Sequence, residues 1–236
     1  MTTRSTYLEF KAGMLAMLPV AAAAIPFAMV MGSEAIRQGL TIYEIVFMSL
    51  TVFAGSSQFI AVSLWQHPAP WASLALAVFL VNLRHTLMAA SLAPKMTQFH
   101  PWLKPIAIFL MADETWALNE QRATASPLKP SYYFGVALCL YVLWAIGTAL
   151  GAGMGTLIPD PKLFGFDFVF PAVFICLVIG FAKSWHAAPV IVASAAASLI
   201  AKLYLGGTSF IIVGGLAGMI VAALLPASTS EVDDAR

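Results

Sequence analysis

The amino-acid sequence predicts an all-α, polytopic integral membrane protein with seven or eight transmembrane segments. Three observations predict it. Of 236 residues, 61% are hydrophobic and only 10% charged; mean hydropathy is +0.88; and apolar runs recur at the length a crossing helix requires. A bilayer core about 30 Å thick takes roughly 20 apolar residues at about 1.5 Å each. Seven runs meet that requirement: 12–31, 42–65, 70–93, 132–157, 166–182, 187–203 and 208–225. An eighth, 101–118, offers only about eight apolar residues after Pro105 before Asp113 and Glu114 intervene, too few for an ordinary crossing. It reads as a segment that dips in and returns, or as a shortened eighth span.

The first run follows Arg4 and Lys11 but is too long for a secretory signal and has further spans behind it, so it is expected to be a retained helix. Within the second run, Ala54-Gly55-Ser56-Ser57-Gln58-Phe59 places a glycine and two hydroxyls in mid-span, which predicts a broken helix. Such a break is tolerable only against protein or a water-filled cavity. Trp65, Trp71, Trp102, Trp116 and Trp185 stand near segment ends, where an indole prefers the headgroup level. The polar stretch 119–130, with Pro127 and Pro130, reads as a linker. It divides a first membrane repeat, 1–118, from a second, 131–226, with a polar tail at 227–236.

A shift of 123 residues supports that division. It sets Tyr43-Glu44-Ile45-Val46-Phe47 on Phe166-Asp167-Phe168-Val169-Phe170 without a gap, and Met31-Gly32 on Met154-Gly155. Chance agreement among apolar helices is the competing explanation. An even number of crossings per half would make the repeats parallel and an odd number inverted. If all eight segments cross, Lys and Arg divide six against five and leave the orientation open. If the fourth re-enters, four face seven, which favours an outside N-terminus.

Composition excludes several classes. A net charge of +1 offers no field for nucleic acid. Cys139 and Cys176 both lie in apolar runs and form no metal or redox motif. There is no phosphate-binding loop, and the four histidines make no hydrolytic pattern, so the chain reads as neither an ATPase nor an enzyme, and it calls for no cofactor.

Ionisable and polar groups at membrane depth are costly, which makes them functional candidates. Gly55, Ser56, Ser57 and Gln58 could present freed N–H groups and an amide to a small polar ligand, or form a packing notch for a neighbouring helix. Asn82 and His85 share a helix face, with Arg84 turned away from it by about 100°. Arg84 suits a carboxylate and His85 a proton, although a structural ion pair and a carbonyl contact are the plainer readings. Asp113 and Glu114 cannot share one helix face. One could meet Arg84 while the other lines an aqueous path and carries protons, or both could be solvated at the interface beside Trp116. Glu44 and Asp167 suit the negative first turn of a helix. Rows of small residues at Gly147, Gly151 and Gly155, at Gly214 and Gly218, and at Ala193, Ala197 and Ala201 predict close helix contacts, inside the chain or with a partner subunit.

Gly55-Ser56-Ser57-Gln58-Phe59, Asn82-Leu83-Arg84-His85 followed by Ala89-Ala90-Ser91-Leu92, and Asp113-Glu114-Thr115-Trp116-Ala117 together resemble the AzlC/YgaZ family of bacterial branched-chain amino acid exporters, over roughly 10–226. The resemblance implies proton-coupled export of valine, leucine, isoleucine and methionine across the bacterial inner membrane. It also implies a small hydrophobic AzlD/YgaH-like membrane subunit as partner. A permease subunit of an ATP-driven complex, with 119–130 as its coupling loop, and a channel for small polar solutes are the alternatives. An amino acid zwitterion needs an anion partner, a cation partner and an apolar wall. Arg84 or the N–H groups at Gly55 fit its carboxylate, Asp113 or Glu114 its ammonium, and Phe53, Phe59 and Phe79 its alkyl group. Substrate binding is thus expected at Gly55, Ser56, Ser57, Gln58, Asn82 and Arg84, and proton coupling at His85, Asp113 and Glu114.

Overall fold

A computed structural model describes residues 3–66, 68–155, 187–205 and 209–225. Among these it is all helix: α1 (Thr3–Arg37), α2 (Ile42–Thr51), α3 (Gly55–Ser63), α4 (Trp71–Leu92), α5 (Leu103–Phe109), α6 (Asp113–Ala125), α7 (Pro130–Gly155), α8 (Ala187–Tyr204) and α9 (Ser209–Leu224), with a 3-10 turn at Ala93–Lys95. Of the described helices, α1, α4, α7 and α8 are long and apolar enough to cross a membrane. The expected span at 166–182, and with it Asp167, lies outside the described residues.

Parallel packing of α1 and α7 sets the frame. Near their starts, a Cβ on Gly13 would lie 2.2 Å from the Tyr132 carbonyl oxygen. Near their ends, one on Gly32 would lie 2.0 Å from that of Thr148. Gly135 against Phe10 and Gly151 against Met29 do the same from the other helix. Glycine is required at these positions because backbone touches backbone, the close approach that drives helix association in lipid. The two helices paired by the 123-residue shift therefore lie side by side, pointing the same way.

With α7 as a ruler, the intervening segments can be placed in depth. α1 ends at the face opposite its N-terminus, where Gly39, with φ of 91°, closes it and Leu40 N–H bonds to the Ala35 carbonyl. α2 starts at that same face under a capping box between Thr41 and Glu44. It descends until the Tyr141 hydroxyl, about half-way along α7, donates to the Leu50 carbonyl at 2.7 Å. There the helix stops. Val52 and Ala54 leave helical geometry, and α3 turns back, so that Gln58 Nε2 reaches Ser49 Oγ at 3.3 Å. The Trp65 ring then meets that of Trp71, the first residue of α4. The segment 42–65, expected to cross, is instead a hairpin that enters and leaves by one face.

α4 runs back to the N-terminal face, where Ser91 and Lys95 reach Glu120 and Phe99 packs on Tyr133 at the start of α7. From there α5 rises, Phe109 approaches Tyr141, and the chain breaks at 110–112. α6 returns to the N-terminal face, where Arg122 and Lys129 hold Glu9 of α1 at 3.2 and 2.6 Å. The short segment 101–118 is thus the rising limb and tip of a second hairpin, entering from the other side. Residues 119–125, read from their polarity as linker, continue α6, and the chain turns at 126–129. Glu120 and Arg122 are polar because they form ion pairs near the membrane surface. α8 and α9 form an antiparallel pair in which Gly214 sits against Ser198 and Gly218 against Ser194.

Candidate functional site

The two hairpin tips meet half-way through the membrane, each starting a helix with no cap. Helices normally begin under Ser, Thr, Asp or Asn, whose oxygen takes up one of the first free N–H groups. α2 obeys that rule at the surface. At the tips the preceding residue is alanine both times, Ala54 before α3 and Ala112 before α6, and no side chain caps either helix. The first backbone bonds run from Gln58 to Ala54 and from Trp116 to Ala112. The N–H groups of Gly55, Ser56 and Ser57, and of Asp113, Glu114 and Thr115, therefore have no backbone partner within their helices. Two positive dipole ends face one central region, a setting that favours a negative group.

Arg84 of α4 joins the tips. Its Nη2 donates to Ser56 Oγ at 2.5 Å, and its Nη1 lies 3.1 Å from Asp113 Oδ2. One planar fork spans both hairpins with a separate nitrogen for each, a fixed geometry that an ammonium, a point charge, does not offer. The side chains of Arg84 and Asp113 keep 35% and 17% of their surface exposed, so the pair borders open space. A second layer holds the α3 tip in place. Ser57 Oγ donates to Asn82 Oδ1 at 2.7 Å, Trp144 Nε1 to Gln58 Oε1 at 2.8 Å, and Thr148 Oγ1 to Ser49 Oγ at 3.0 Å. Ser49, Ser57, Gln58 and Thr148 are fully buried. Gly55 is a glycine because the Trp144 ring would lie 2.8 Å from a Cβ there.

Between the tips lies a cavity of about 70 Å³, bordered by Gly55, Ser56, Arg84, His85, Asp113 and Glu114, with Phe27, Phe53, Leu140 and Trp144 as its apolar wall. Six of the nine residues singled out from sequence thus come together at its edge. Ser57, Gln58 and Asn82 stand behind it, their side chains engaged with protein. Of the three phenylalanines expected around an alkyl group, Phe53 lines the space. Phe59 instead stacks on Phe27 at 4.4 Å, and Phe79 is 62% exposed on the outer face of α4. The wall contributed by α1 and α7 was missed. Trp144 carried a usable signal: a tryptophan in the middle of an apolar span has an N–H that must find a partner. The second tip had one too, since a shift of 58 residues sets Phe53-Ala54-Gly55 on Met111-Ala112-Asp113.

The AzlC protein family model matches residues 19–158, a stretch that contains both tips and Arg84. This chain belongs to the AzlC family. It is 30% identical over 218 residues to an uncharacterized membrane protein of Archaeoglobus fulgidus, covering 90% of this chain and 94% of that one. Identity is also 30% to the branched-chain amino acid transport protein AzlC of Bacillus subtilis, over 81% of this chain and 75% of the other. To the inner membrane protein YgaZ of Escherichia coli it is 29%, over 69% of each. No solved structure matches the chain. AzlC is a membrane transport family, and the apolar helices place this member in a membrane.

Proposed function

We propose that this AzlC-family chain is a secondary transporter exporting branched-chain amino acids across the bacterial inner membrane in exchange for protons, together with a small AzlD-like membrane subunit. The observation that carries the reading is the convergence of two uncapped helix starts, one guanidinium and two carboxylates on a single apolar-walled cavity. Those are the three surfaces a zwitterion with an alkyl side chain requires. The N–H groups of Gly55 and Ser56, with Arg84, receive the carboxylate; Glu114 receives the ammonium; Phe27, Phe53, Leu140 and Trp144 receive the alkyl group. When Asp113 or Glu114 takes a proton, that arrangement loses a negative charge and releases the ammonium, which couples the two movements. His85, at the same edge, is a further proton carrier.

The name of the Bacillus subtilis relative supports the substrate class. Orientation follows from the hairpins. Among the described residues up to 155, Arg4, Lys11, Lys95, Lys104, Arg122 and Lys129 belong to the N-terminal face and Arg37 to the opposite one, with Arg84 central. That bias favours a cytoplasmic N-terminus. It reverses the outside orientation favoured when a single segment was taken to re-enter. Among the described residues, 119–125 is helix α6 and the turn at 126–129 is what remains of the stretch read as a coupling loop, which weighs against the ATP-driven alternative.

Labelled valine efflux from proteoliposomes, with and without the small subunit and with an imposed pH gradient, tests the reading. Gradient-driven efflux that Asp113→Asn abolishes supports it. Efflux indifferent to the gradient points to a channel, and efflux only with ATP and a further subunit to a permease.

A further inference from the structure

α6 carries polar groups that the central cavity does not use. Thr115 and Asn119 are both 0% exposed and stand one turn apart on one helix face. Asn119 Nδ2 donates to the Thr115 carbonyl at 2.7 Å, but Asn119 Oδ1 and Thr115 Oγ1 have no partner. Leaving such an atom dry costs about 1–3 kcal/mol, and water is the usual remedy for a buried polar group. Arg122 continues the same face and meets Glu9, which Lys129 also holds, at the membrane surface. At the other end, Asp113 and Glu114 open on the cavity. The face of α6 turned to α4 differs: there Glu120 is taken up by Ser91 and Lys95, and Trp116 Nε1 by Ser91.

We propose that Thr115 and Asn119, packed without room for water in this conformation, take up a file of water along α6 when the second hairpin moves, and that this file carries protons between the central carboxylates and the N-terminal face. The proposal rests on the proton-coupled reading above. The spacing suits it, since one helical turn of about 5.4 Å is bridged by one or two waters. A hydroxyl both accepts and donates, so Thr115 relays a proton directly, while Asn119 Oδ1 anchors a water by accepting. Asp113 or Glu114 gives up its proton, which hops along the file and emerges beside Glu9, Arg122 and Lys129; no other bond changes. The charged and titratable groups around the route are Arg84 and His85 at the inner end, Tyr132 under Arg122 at the outer end, and the Lys95–Glu120 pair on the far side of α6.

The test uses the full chain in proteoliposomes, in whichever form moves valine, with a pH-sensitive dye inside. Two quantities are read: valine-driven proton flux, and exchange of labelled for unlabelled valine, which needs no net proton. In Thr115→Val/Asn119→Leu, flux is expected to fall on the order of tenfold or more while exchange stays within about twofold; in Thr115→Ser both persist. Thr115→Val alone serves if the double variant cannot be purified. Undiminished flux in the apolar variants overturns the water file, as does a loss of exchange alongside flux, which would make the two residues structural. Wild-type protein that moves valine without protons would instead overturn the coupling reading itself.

Discussion

At the scale of single residues, Arg84 and Gln58 exchange the importance their chemistry suggests. Both are polar groups inside apolar runs, and from sequence both qualify as ligands. In the structure Arg84 borders the cavity and spans two hairpins, whereas the Gln58 amide is fully buried between Trp144 and Ser49. Arg84→Lys keeps the charge but not the fork, and valine transport should drop about tenfold or more at unchanged protein level. Gln58→Leu leaves the Trp144 N–H dry. A loss of about 1–3 kcal/mol, seen as a lower unfolding temperature, should accompany a nearly unchanged KM. The sequence made the intramembrane charges legible because their cost demands a use. It could not separate those bordering the cavity from those behind it, since that depends on which way each helix face turns.

At the scale of elements, the informative positions are the two alanines before α3 and α6. A hydroxyl at Ala54 would cap α3. On ordinary helix energetics Ala54→Ser adds about 0.5–2 kcal/mol of stability, and the unfolding temperature should rise. Transport should worsen nonetheless, because the added oxygen competes with the substrate carboxylate for the same N–H groups. A variant that gained both stability and transport would remove those groups from the binding site. The break in the second run was readable from Gly55-Ser56-Ser57. Its consequence, reversal of direction, was not, because apolar length alone cannot tell a hairpin from a crossing when both limbs are equally apolar. The fourth segment betrayed itself only because its returning limb is polar.

For the whole molecule, the two hairpins decide which side each loop faces, and the charge bias then predicts orientation. In a chain with Cys139 and Cys176 replaced by alanine, an impermeant maleimide applied to intact cells should label Arg37→Cys and spare Gln98→Cys. The reverse pattern would place the N-terminus outside. The helical, membrane-embedded architecture was legible throughout, since composition alone dictates it. That a long helix followed by a hairpin at 3–63 is repeated in the opposite direction at 71–125 was hidden, because the shared plan is one of helix lengths and breaks more than of side chains. The glycine seam between α1 and α7 bears on motion as well. Carbonyl oxygens sit where side chains would otherwise be, at both ends of the contact, so neither helix can slide or roll past the other without collision. Whatever rearranges during a transport cycle must pivot about that fixed spine, and spin labels on α1 and α7 should keep one separation while labels on either hairpin change theirs.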